Sequence, residues 1–97
     1  MQYNFEWDPR KAKLNYRKHK VSFERAAEVF LDRFMLSLFD EEHSQAEERW
    51  VTIGKDRIGI PLVVIHTFRD VDGENSSIRI ISARRATKKE VKKYSTR

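Results

Sequence analysis

Ninety-seven residues suffice for one domain, taken here as 1–97, and leave no room for two. With no cysteine, the chain can have neither a disulfide frame nor a thiolate metal site. A 39% hydrophobic share supports a small core, while 36% charged residues and a net charge of +5 imply a polar surface suited to a polyanion or an acidic protein.

Tyr3, Phe5 and Trp7 alternate with Asn4 and Glu6, a period of two that predicts a short strand. Asp8-Pro9 then offers an N-cap and a first-turn proline for a basic helix running to about His19. Ala12, Asn15, Tyr16 and His19 share one face of it. Ser22 caps a second helix, whose apolar stripe is Phe23, Ala26, Ala27, Phe30 and Leu31. From Phe34 the pattern changes to strands. Segment 34–40 is short and apolar, the acidic link 41–48 reads as a turn or a helical turn, and 49–54 alternates again. After a turn, 62–69 is rich in β-branched residues and predicts a central strand; Asp72-Gly73 marks a hairpin loop. The strand over 78–83 combines Ile78, Ile80 and Ile81 with Arg79, and Thr87 and Glu90 form a T-x-x-E capping box for a last helix. Short loops between successive strands predict a mainly antiparallel sheet, and the segregation of helices from strands predicts an α+β domain.

Charge is unevenly placed. Residues 1–20 carry six basic and two acidic side chains, 21–50 carry three and eight, and 51–97 carry eleven and five. Two basic blocks thus flank an acidic one, and basic surfaces attract nucleic acid by counterion release. The opening residues lack the apolar run of a signal peptide, and no apolar segment approaches the roughly 20 residues of a membrane span. A cytoplasmic location and no membrane partner are expected. Three widely spaced histidines give no metal-ligand pattern, and three glycines give no phosphate loop, so no metal or cofactor is expected.

Three stretches occur in an order that carries a resemblance: "FEWDPRKAKLNYRKHKVSFERAAEVF" at 5–30, "EERWVTIG" at 47–54 and "IRIISARRATKKE" at 78–90. Together they resemble BrnT, the toxin family of a type II bacterial toxin–antitoxin pair. One departure is visible, since Lys20 stands where the family usually has glycine after Lys-His, a place where glycine commonly supplies positive φ. The resemblance implies a RelE-like ribonuclease, two N-terminal helices and one C-terminal helix packed on the sheet. It also implies an RNA substrate, inhibition of translation and a ribbon-helix-helix antitoxin through which operator DNA is bound. The alternatives are a non-catalytic nucleic-acid-binding module and a protein whose basic faces simply meet an antitoxin.

Cleavage of RNA without a metal needs a base for the ribose 2′-hydroxyl, an acid for the leaving oxygen and cations for the phosphorane. Arginine suits the last role, because its planar fork donates two bonds to a phosphate. Hairpin pairing makes Arg69 and Arg79 natural neighbours, whereas Arg84 gains weight from the family motif. Strict alternation puts Arg79 and Arg84 on opposite faces unless a bulge near Ser82 breaks the register. His19 could transfer protons, and Glu48 could act as a base or pair with Arg49. Lys18, Arg49 and Arg85 could bind phosphate, while Trp50 and Tyr94 could stack on bases or simply pack in the core. His66 reads as a satisfied core residue.

Overall fold

The computed structural model describes residues 2–96. Strand β1 (Gln2–Glu6) leads into α1 (Pro9–His19) and α2 (Phe23–Glu28), which a 3-10 turn over Val29–Leu31 extends. Strands β2 (Leu36–Phe39), β3 (Trp50–Lys55), β4 (Pro61–His66), β5 (Arg69–Asp70) and β6 (Asn75–Arg85) follow, and α3 (Lys88–Ser95) closes the chain. The sheet order is β1-β6-β4-β3-β2, with β5 also paired to β6. It is a mixed sheet, not a wholly antiparallel one: β1 runs parallel to β6, and the other pairings are antiparallel.

The helices begin where the capping chemistry puts them. Asp8 accepts the Arg10 N–H at 2.9 Å, and Pro9 supplies the first-turn φ. Ser22 accepts the Arg25 N–H at 3.1 Å. Between the two helices Lys20 takes the left-handed conformation, φ 58°, and its N–H closes onto the Tyr16 carbonyl at 2.8 Å. The chain therefore keeps the turn a glycine would make and bears the steric cost of a Cβ in it.

One sheet face packs on α1, α2 and the 3-10 turn. Val21, Phe23, Ala26, Val29 and Phe30 meet Leu62, Val64, Ile78, Ile80 and Ala83 there. The expected stripe on α2 holds except at Leu31, which is 83% exposed because the 3-10 turn rotates it off the face. Of the face expected to hold Ala12, Asn15, Tyr16 and His19, Asn15 is buried and Ala12 and His19 are half-buried, while Tyr16 is exposed. The opposite sheet face is covered at one end by α3, where Tyr94 packs on Ile53 and Val63. Arg25 ties α2 to the β3–β4 turn through Asp56 at 3.0 Å. Burial alone would raise the Asp56 pKa; the Ile60 N–H, Arg25 and the Ile58 N–H outweigh it and lower the value.

The predicted strand over 62–69 is interrupted. β4 ends at His66, and β5 resumes at Arg69 beside Ser77. The register also shifts by one residue, since Ile65 faces Ser82 but His66 faces Ile80. The extra residue is Ile81, a bulge that keeps Ile80 and Ala83 on the helix-packed face although they are three apart.

Two substitutions test this frame. Lys20→Gly should stabilise the fold by about 0.5–1 kcal/mol by relieving the left-handed strain, raising the urea midpoint at constant slope. Gly54→Ala should destabilise it by about 1–3 kcal/mol, because an added Cβ would lie 2.7 Å from Val29 Cγ1 in a packed core.

Candidate nucleic-acid interface

The bulge decides which arginines share a side. Arg79 and Arg84 both alternate away from Ile78, Ile80 and Ala83, so both project from the face opposite α1 and α2. They sit at different ends of that face. Arg79 lies where β1 ends, opposite Glu6 in the parallel pairing, and Arg69 lies on β5 opposite Ser77. Thr67 joins the two segments: its N–H reaches the Arg79 carbonyl at 3.0 Å, and its hydroxyl accepts the Arg79 N–H at 3.2 Å.

Together these elements form an open hollow of about 350 Å³, lined by Glu6, Glu47, Glu48, Thr67, Phe68, Arg69, Ser77 and Arg79. The Arg79 guanidinium donates to Glu47, and the two side chains are 41% and 40% exposed. The side chains of Arg69 and Glu48 form no ion pair or hydrogen bond among the described residues. Two cations and three carboxylates thus meet in one polar depression. A ligand phosphate would compete with Glu47 for Arg79 and find Arg69 open.

Arg84 has a different setting. It grips Glu90 with both ends of its fork, at 2.8 and 2.7 Å. Glu90 also accepts the Thr87 N–H at 2.8 Å while the Thr87 hydroxyl accepts the Glu90 N–H, completing the expected capping box. The Arg84 guanidinium is the main reason the Glu90 carboxyl falls to about 2. Arg84 therefore anchors α3 to β6, away from the Arg69–Arg79 hollow. Arg85 is exposed at the strand end.

The remaining candidates are dispersed. Lys18 and His19 line a separate hollow against Ile81 and Ser82. Tyr94 is buried and donates its hydroxyl to Asp32 at 2.6 Å. Arg49 is half-buried, and its Nε has no hydrogen-bond partner among the described residues. Trp50 lies edge-on to Phe39, with ring centroids 5.3 Å apart, and lines an apolar cleft with Tyr3, Phe30, Met35, Ser37, His66 and Phe68.

His66 is the satisfied core histidine expected from its strand face. Its Nδ1 meets the Thr67 carbonyl at 2.8 Å, which requires a proton on that nitrogen. Nε2 must then accept the Thr52 hydroxyl at 2.6 Å, and Thr52 in turn accepts from Ser37 at 2.8 Å. Burial lowers the His66 pKa, so the ring is held neutral. Among the described residues no cluster of three or more His, Asp or Glu could hold a metal, and no helix is long and apolar enough to cross a membrane.

Sequence reasoning made Arg69 and Arg79 neighbours and named Glu48 as a candidate base beside Arg49, without bringing it to those arginines, and it missed Glu6, Glu47 and Phe68 as lining residues. Glu6 arrives through a parallel pairing that no local pattern reveals. The one visible signal for Glu47 was the Glu47-Glu48 doublet preceding β3.

A small α+β domain with an arginine–glutamate hollow on an open sheet face is compatible with a protein that acts on RNA. The model of the family described as "Ribonuclease toxin, BrnT, of type II toxin-antitoxin system" matches residues 7–90, and the chain belongs to that family. Among solved structures it is similar to the Brucella abortus ribonuclease toxin BrnT, with 27% identity and a TM-score of 0.58 over 91% of this chain and 100% of that one. No curated protein matches it by sequence.

The pH dependence of stability should show two windows. His66 has a folded pKa below its ordinary 6.5, so its contribution is complete above about 6.5 and is lost as the pH falls. Glu90 drops from 4.5 to about 2, so its contribution is complete above 4.5 and is lost towards pH 2. The Glu90 shift bounds the second term at about 3 kcal/mol, and solvent around Arg84 screens it to about 1–2 kcal/mol. Glu90→Gln should cost about that much at pH 7 and flatten the lower window, as read by urea unfolding across pH.

Proposed function

We propose that this chain is a metal-independent endoribonuclease on a RelE-like scaffold, which cleaves RNA and so inhibits translation. A cognate ribbon-helix-helix antitoxin would neutralise it and would be its only route to operator DNA. The observation that carries this reading is the pairing of Arg69 and Arg79 with an unengaged Glu48 in one open hollow, within a family described as ribonuclease toxins.

In this reading the scissile phosphodiester displaces Glu47 and lies between the two guanidiniums. Glu48 takes the 2′-hydroxyl proton, the 2′-oxygen attacks phosphorus, and the bond to the 5′-oxygen breaks. The products are a 2′,3′-cyclic phosphate and a 5′-hydroxyl, with the leaving oxygen protonated by water in the open hollow. Arginine contributes by stabilising charge that exists only in the transition state. Phe68 is the aromatic side chain in the lining of the hollow.

Purified protein incubated with RNA in EDTA should cleave, and the products should carry cyclic phosphate ends. Arg69→Ala and Arg79→Ala should each slow cleavage about 100- to 1,000-fold, and Glu48→Gln about 100-fold or more. Arg84→Ala should act chiefly on stability. Loss of cleavage in EDTA would contradict the metal-free route, and salt-sensitive RNA binding without cleavage would leave a binding module only.

A further inference from the structure

We propose that the apolar cleft next to the arginine hollow is a nucleobase subsite that holds one unpaired base of the RNA strand whose phosphate Arg69 and Arg79 bind. This rests on the RNA reading above and adds a binding site to it. The cleft has a volume of about 230 Å³, less than the roughly 300–1,000 Å³ of pockets for drug-sized ligands, and suits a single planar ring system.

Three observations favour a base over an apolar protein side chain. First, the cleft and the hollow share Phe68, which is 39% exposed and precedes Arg69 in sequence, so the two depressions, one on the helix-packed face and one on the arginine face, meet at that residue. Second, the walls are mostly rings, Tyr3, Phe30, Trp50, His66 and Phe68, and every base offers a π-face to stack on them. Third, two polar groups of the wall are uncommitted among the described residues, the Tyr3 hydroxyl and Trp50 Nε1. Ser37 and His66 are used up in the chain through Thr52, whereas Trp50 Nε1 is shielded and has no hydrogen-bond partner among the described residues. An indole N–H only donates, and a small tilt of the ring would let it meet an acceptor on a base edge. Recognition by stacking with only the Trp50 N–H and the Tyr3 hydroxyl to meet a base edge makes the site tolerant of base identity.

The test uses the intact protein and ligands without a 2′-hydroxyl, so no cleavage can occur. Tryptophan fluorescence is titrated with 2′-deoxynucleoside 3′,5′-bisphosphates and with the abasic deoxyribose 3′,5′-bisphosphate. The base-bearing ligands should bind on the order of 5- to 150-fold more tightly and quench the emission, as one stacked base does. Tyr3→Ala, in the cleft wall but not in the hollow, should erase that difference while leaving the abasic affinity unchanged, and Tyr3→Phe should keep it. Equal affinity with and without the base overturns the proposal and leaves the cleft to a side chain of a protein partner. An unchanged preference in Tyr3→Ala overturns it too. Base-dependent binding by a protein that fails to cleave RNA would sink the nuclease reading alone.

Discussion

The clasp between Asn15 and Ala83 determines where everything else can lie. β1 covers the outer edge of β6 only as far as Arg79, and beyond that point no strand among the described residues pairs with that edge. Asn15, buried on α1, takes the strand's place: Nδ2 donates to the Ala83 carbonyl at 2.8 Å, and Oδ1 accepts the Ala83 N–H at 3.1 Å. The same Nδ2 donates to the Val21 carbonyl at 3.0 Å, so the turn after α1 is held too. Each buried backbone group left unpaired would cost about 1–3 kcal/mol. The clasp sits two residues past the bulge at Ile81 and so pins the shifted register. Without that shift Ala83 would leave the core face, and Arg84 would turn towards the helices.

Once both arginines share a face, magnitude separates their roles. Arg84 and Glu90 form a two-pronged, partly shielded pair that also closes a helix cap, and removing it disturbs three groups at once. Arg79 and Glu47 are each about 40% exposed, and pairs of that kind contribute only about 0–1 kcal/mol. A phosphate that donates nothing but accepts from two guanidiniums can therefore displace Glu47, whereas it cannot profitably displace Glu90. Arg69 requires no displacement. The same residue type is thus structural at one end of β6 and available at the other, and the difference comes from the neighbouring carboxylate's surroundings.

Much of this was legible in the sequence. Asp8-Pro9, Ser22 and Thr87 with Glu90 mark helix starts because capping is local chemistry, and His66 was readable as core from its strand face. The proximity of Arg69 and Arg79 followed from hairpin pairing, although the strand carrying Arg69 proved to be a separate two-residue piece. What the sequence hid is long-range or cooperative. The β1–β6 pairing joins residues more than seventy apart, and the exit of Leu31 depends on the last turn tightening to a 3-10 form. The bulge could be named as a condition near Ser82, but only the Asn15 clasp explains why it falls there. Lys18, His19 and Tyr94 share no site with the arginines, because α1 ends beside the bulge and Tyr94 faces Asp32.

The hollow itself holds more carboxylates than guanidiniums, so long-range attraction for RNA must originate elsewhere. Lys11, Lys13, Arg17, Lys18 and Lys20 on or just after α1, and Lys88, Lys89, Lys92 and Lys93 on α3, are exposed and would supply it in the proposed reading. At physiological salt such charges act over about 8 Å, which is enough to gather a strand but not to orient it. Orientation needs short-range groups that bind only after an anion has replaced Glu47. In the proposed reading a polyanion would be collected by the helices and selected by the hollow, and the acidic link before β3 would keep the arginines from holding every passing phosphate equally well. An acidic block between two basic ones has a physical use in such a protein: it weakens indiscriminate binding where contact with the reacting group must be reversible.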